Sequence, residues 1–113
     1  MMPNTDLTAG TESAATLFAA LGDPTRLSLL TTLSDGKPRS IAGLSGGSGL
    51  TRQAITKHLN VLEQAGLLHA TKVGRESHYG FRPERIETMR TYLNGVSRQW
   101  DDALDRLRAY VER

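Results

Sequence analysis

The run Gly46-Gly47-Ser48-Gly49 constrains what this chain can fold into more than any other feature. Glycine inside a helix costs about 1 kcal/mol relative to alanine, so three in four residues force a corner between whatever flanks them. Beyond the corner, Thr51 is a favourable N-cap, and residues 52–65 carry Ile55, Leu59 and Leu62 on one helical stripe before Gly66 stops them. Ahead of it, residues 40–45 predict a short helix that buries Ile41 and Leu44. Helix, glycine-bearing turn and helix make a helix-turn-helix unit.

The flanking sequence extends this unit on both sides. Residues 1–11 are polar and turn-prone and are expected to be a disordered tail. Over residues 12–21, Ala14, Leu17, Phe18 and Leu21 recur at helical spacing ahead of Gly22. Asp23-Pro24 starts a second helix with Asp as N-cap and Pro in the first turn; its apolar set is Leu27, Leu29, Leu30 and Leu33. After Gly66 the period changes, and residues 67–73 and 77–81 read as two short strands joined at Gly74-Arg75-Glu76. If Val73 faces Ser77 in this hairpin, His69 faces Phe81 and His78 faces Lys72. Pro83 opens a last helix to about residue 111, where Ile86, Met89, Leu93, Val96, Trp100, Ala103, Leu107 and Tyr110 alternate spacings of three and four. Leu104 and Val111 widen that stripe. The expected fold is mainly α, five helices with a small β-hairpin: a winged helix-turn-helix core over residues 12–83 and a long helix over 84–113.

Composition narrows the function. With 113 residues the chain holds one domain, and the absence of cysteine excludes thiolate metal sites and cysteine redox sensing. No secretory signal and no apolar run of membrane-spanning length is read, so a cytoplasmic location is expected. No nucleophile elbow or metalloprotease signature occurs, and the glycine run lacks the Lys-Ser/Thr ending of a phosphate-binding loop. Neither an enzyme nor a cofactor is expected. The net charge of +2 is small, but residues 50–85 carry six basic and three acidic side chains, an excess suited to a polyanion.

That excess sits on two elements. With Ile55, Leu59 and Leu62 inward, the opposite face of the fourth helix presents Arg52, Gln53, Thr56, Lys57 and Asn60, and its start presents Thr51. Arg can donate two hydrogen bonds to guanine and Gln can pair with adenine, so these are side chains suited to base edges in a major groove. A solvated polar face is the ordinary alternative for one helix alone. The second element is the hairpin, where Lys72 and the tip residue Arg75 can lie over phosphates or reach the minor groove. Asp101, Asp102 and Asp105 lack converging ligands and read as a solvated face.

The segments LFAALGDPTRLSLLTTL, GLTRQAITKHLNVLEQAGLL and HATKVGRESHYGF resemble the ArsR family of winged-helix repressors over residues 12–83. The last helix, with Trp100-Asp101, is similar to a branch of that family without metal sites. The resemblance implies a homodimeric transcriptional repressor whose first and last helices form the interface. Leu17, Phe18, Leu21, Met89, Leu93, Val96, Trp100, Leu104 and Leu107 would line it. It implies that the fourth helix enters the major groove of a double-stranded operator, with Thr51, Arg52, Gln53, Thr56 and Lys57 at reading positions, and His58 packing or touching phosphate. Metal-sensing members place cysteines in the third helix or Asp, His and Glu ligands in the last. Here residues 40–45 offer no such ligand and residues 84–113 contain no histidine, so metal regulation is not expected. For Arg26 a structural hydrogen-bonding role is expected in preference to a DNA contact. Met89, Tyr92 and Trp100 are read as interface core in preference to an effector pocket; the resemblance names no small-molecule effector. The rival reading is a protein-interaction module that uses the long helix and binds DNA without sequence preference.

Overall fold

A computed structural model of the chain describes residues 3–112. Its helices are α1 (Pro3–Leu21), α2 (Pro24–Leu33), α3 (Ile41–Ser45), α4 (Arg52–Gln64) and α5 (Glu84–Val111). Its strands are β1 (Arg39–Ser40), β2 (Leu68–Val73) and β3 (Glu76–Phe81), which form one antiparallel sheet in the order β1-β3-β2.

Local chemistry sets the boundaries of the helix-turn-helix. Asp23 caps α2 by accepting the Arg26 N–H at 3.0 Å, with Pro24 in the first turn. Ser40 does the same for α3 through the Gly43 N–H, and Thr51 for α4 through the Ala54 N–H at 3.1 Å. Between α3 and α4, Gly47 and Gly49 adopt φ of 76° and 77°, backbone that side chains rarely tolerate, which is why this corner is built of glycine. At the far end of α4, Gly66 (φ 84°) allows the Gly66 and Leu67 N–H groups to donate back to Glu63 and Leu62 carbonyls, a Schellman closure.

Packing follows the apolar stripes. Leu29, Leu30 and Leu33 of α2, Leu44 of α3, and Ile55, Leu59 and Leu62 of α4 meet Leu67, Leu68 and Tyr79 of the sheet segment in one core, closed by Leu17, Ala20 and Met89. Arg39 locks the α2–β1 turn: its guanidinium donates to the Thr32 carbonyl at 2.9 Å and pairs with the Asp35 carboxylate at 2.7 Å. The Arg39 hydrogen bond, helped by the Lys37 N–H, pulls the Asp35 carboxyl down to about 2.

Four expectations are corrected. Helix α1 begins at Pro3, so residues 3–11, read as a disordered tail, continue the helix; residues 1 and 2 of that tail lie outside the described residues, as does Arg113. Once the turns carrying Ala14 and Leu17 are held by burial, each added residue gains a backbone hydrogen bond without a new nucleation cost. Leu27 faces outward at 50% exposure, because the second helix buries only three of its four leucines. The hairpin turns in two residues, Gly74-Arg75, with positive φ at Gly74 only, the signature of a type II′ turn. The register therefore slips by one: Val73 faces Glu76, His78 faces Thr71, and His69 faces Gly80. Finally, β1 adds a third strand, with Arg39 facing Tyr79 and Ser40 facing His78. Two residues make a strand only because β3 offers them a free edge.

Helix α5, about 42 Å long at 1.5 Å per residue, lays its first half along α1. There Phe18 and Tyr92 stack tilted at 60° with ring centroids 6.1 Å apart. Its second half carries Trp100, Leu104, Leu107, Tyr110 and Val111, each 55–73% exposed. No helix among the described residues is long and apolar enough to cross a membrane.

Candidate nucleic-acid interface

Burial of Ile55, Leu59 and Leu62 fixes how α4 is rotated, and the helical step of about 100° per residue then decides what faces outward. Gln53, Lys57 and Asn60 are exposed on that outer face, Thr56 is half-buried at its edge, and Arg52, three residues before Ile55, is exposed at the open first turn of the helix. None of Arg52, Lys57, Lys72 or Arg75 enters an ion pair among the described residues, whereas Arg39, Arg82 and Arg90 each have a carboxylate. The outer face of α4 and the hairpin thus offer unneutralised donors.

The two threonines are less free than the sequence implies. The Thr51 oxygen accepts the Ala54 N–H as the helix cap, and the Thr56 hydroxyl donates to the Arg52 carbonyl at 2.7 Å. Each has spent one hydrogen bond on its own helix, so Arg52, Gln53, Lys57 and Asn60 keep the larger reading capacity. Lys72 and Arg75 are exposed, Lys72 on β2 opposite Ser77 and Arg75 at the tip of the wing.

His58 stands apart from the outer face. It lies about 200° around α4 from Asn60, on the flank turned toward the α1–α2 junction. Its Nδ1 is 3.4 Å from Arg26 Nη1 and 3.9 Å from Asp23 Oδ2, and its side chain is 24% exposed. Of the two roles read for His58, packing or touching phosphate, these contacts support packing. Helical phase sets His58 on a flank of the buried stripe, and only the fold supplies the partners that cover it. Arg26 takes the structural role read for it: Nε and Nη2 donate to the Ala20 and Ala19 carbonyls, satisfying the last turn of α1.

The remaining histidines stay apart. The ring of His69 lies over Gly80, where a Cβ would come within 2.9 Å of it, and His78 Nε2 is buried 3.5 Å from Glu76 Oε1. No group of three or more His, Cys, Asp or Glu placed to hold a metal ion occurs among the described residues.

A helix-turn-helix domain profile matches residues 21–70. An uncharacterized HTH-type transcriptional regulator of Methanocaldococcus jannaschii is 33% identical over 76 residues, spanning 67% of this chain and 85% of that protein. The HTH-type transcriptional regulator YuzN of Bacillus subtilis is 35% identical over 79 residues, 65% of this chain and 86% of its own. The solved structure of an ArsR-like transcriptional regulator from Rhodococcus sp. RHA1 superposes with a TM-score of 0.73 at 36% identity, covering 86% of this chain and 91% of that one. The chain belongs to the ArsR-like helix-turn-helix transcriptional regulators. It is a DNA-binding regulator and not an enzyme.

Two of the expected interface residues are also reassigned by burial. Leu17 is 1% exposed and Met89 7%, so both side chains are consumed by the regulator's own core. Phe18, Leu21 and Val96 are half-buried, and Leu93, Trp100, Leu104 and Leu107 are exposed. Tyr92 is occupied by Phe18, which accounts for it by packing.

Proposed function

We propose that the regulator is a homodimeric repressor that reads a pseudo-palindromic operator with α4 and holds flanking phosphates with the β2–β3 wing. The observation that carries this reading is the outer face of α4, where Gln53, Lys57 and Asn60 stand exposed opposite a fully buried stripe, with Arg52 exposed at the start of the helix. Two such helices related by a dimer axis would read half-sites about 10 base pairs apart, and occupation of a promoter would exclude polymerase. The apolar stripe of α5, with α1 beside it, supports the dimer: exposed Leu93, Trp100, Leu104 and Leu107 form a surface a solvated monomer would not keep. Metal control through the family's usual positions is not part of this reading, since the sequence lacks cysteine and residues 84–113 lack histidine.

Selection of bound sequences from random duplex DNA by the full chain tests it. A two-fold symmetric consensus is expected; retention of DNA with no sequence preference would leave only the interaction-module reading. Arg52→Ala should cost about 1–3 kcal/mol of operator affinity and relax preference at one base position. An unchanged consensus would remove Arg52 from the readers. Arg75→Ala should weaken binding to every sequence and lower the salt slope by roughly one unit, because a phosphate contact carries no sequence information. An unaltered slope would take the wing tip off the DNA.

A further inference from the structure

We propose that Arg26 and His58 form a proton-sensitive clamp that positions α4 for DNA reading and opens when the imidazole is protonated. This rests on the DNA-reading role of α4 proposed above.

Three helices meet at this point. The Arg26 guanidinium reaches the Ala19 and Ala20 carbonyls at the end of α1 through Nη2 and Nε, and the flank of α4 through Nη1. One rigid, planar side chain thereby ties the helix proposed to lie at the dimer interface to the helix proposed to read bases. In a dimer that reads two half-sites at a set separation, the angle between those helices is a functional quantity.

The tie depends on the charge of His58. Arginine has five donors and no acceptor, so the contact between Nη1 and Nδ1 at 3.4 Å requires Nδ1 to present its lone pair. That is the neutral imidazole with its hydrogen on Nε2. Protonation places an N–H on Nδ1, aimed at a permanent cation, and the contact becomes repulsive. Among the described residues, the charged groups in contact with the ring are Arg26 of α2 and the carboxylate of its N-cap Asp23, whose Oδ2 is 3.9 Å away. From α1 the Ala19 and Ala20 carbonyls accept from Arg26. On α4 the neighbouring Lys57 is exposed. Asp23 is held below the ordinary carboxylate range, chiefly by the Arg26 N–H, so it stays ionised and draws the protonated ring away from Arg26. Arg26 remains bonded to α1, while α4 exchanges its contact with the guanidinium for one with the Asp23 carboxylate at the cap of α2 and so loses its link to α1.

The direction of the effect sets this clamp apart from ordinary charge effects. Adding protons to a DNA-binding surface normally strengthens binding to a polyanion. Loss of the clamp weakens it. Operator affinity of the full chain, measured at constant ionic strength, should fall about tenfold between about pH 7.5 and about pH 5.5, the worth of one lost charge-assisted contact across the range in which imidazoles titrate. In His58→Asn the amide Oδ1 stands near the place of Nδ1 and accepts at both pH values. That variant should bind as the wild type does at the higher pH and change less than about twofold on acidification. An affinity that is flat or rises on acidification overturns the clamp. So does an equal loss in His58→Asn, which would place the titration on His69 or His78. In the DNA-free wild-type chain, the Arg26 side-chain nitrogen resonances should move with the His58 ring as pH falls. Arg26 resonances indifferent to that titration overturn the clamp without reference to DNA, and failure of the wild type to bind any operator at the higher pH sinks the reading role of α4 instead.

Discussion

Trp100→Asp should sediment as a monomer at micromolar concentration and lose measurable operator binding, while its far-ultraviolet dichroism stays that of the folded wild type. Trp100 is 65% exposed in the protomer and lies 11 residues beyond Met89, the last side chain of α5 that the core covers, or about 16 Å along the helix. The substitution therefore leaves the protomer's packing alone. A tryptophan that covers about 200 Å² on association contributes roughly 5 kcal/mol of apolar transfer before association costs are subtracted. Two-fold symmetry removes it twice and leaves an aspartate in its place on each protomer, so dimerisation should weaken on the order of a thousandfold or more. A monomer presents one α4 to one half-site and gives up the affinity gained by linking two. A stable dimer of this variant would put the interface somewhere other than the second half of α5.

The second large effect is on stability. Leu59→Ala should destabilise the regulator by about 3 kcal/mol, read as a shift of roughly 10–15 °C in Tm at fixed protein concentration. Leu59 is 0% exposed at the centre of α4, inside the cluster that joins α2, α4 and the sheet, and truncation leaves a cavity that helices on both sides hold open. Leu27→Ala is the matched control: at 50% exposure it should cost less than about 0.5 kcal/mol. A small loss at Leu59 would mean that the site collapses on itself and that the rotation of α4 is fixed by something other than this stripe.

That rotation is also where the sequence was most readable. The caps Asp23 and Thr51, the glycine corner and the stop at Gly66 are local chemistry, and each acts within three or four residues of the group it satisfies. Given the stripe of Ile55, Leu59 and Leu62, helical phase puts Gln53, Lys57 and Asn60 outside, while Arg52, three residues before Ile55, is exposed because it opens the first turn. Phase sets His58 on a flank of the stripe, as it does Arg52, and only the fold covers it, by supplying Arg26 and Asp23 across 32 and 35 residues of chain. Hairpin existence was legible from the change in period, but its register was not. A two-residue loop at Gly74-Arg75 and a three-residue loop that includes Glu76 differ by one ladder pair, and the fold takes the shorter one, with positive φ at Gly74.

Apolar periodicity by itself determined five helices, a wing and the outward face of α4, because those depend on spacing along one chain segment. Which apolar residues the protomer covers for itself was decided by tertiary structure alone. Leu17 and Met89 belong to the same stripes as Leu21 and Leu93, yet the crossing of α1 over the first half of α5 buries the former pair and leaves Leu93 half in solvent. A stripe records that a surface will be covered. Only the placement of a second helix against it determines how much of that covering comes from within the chain.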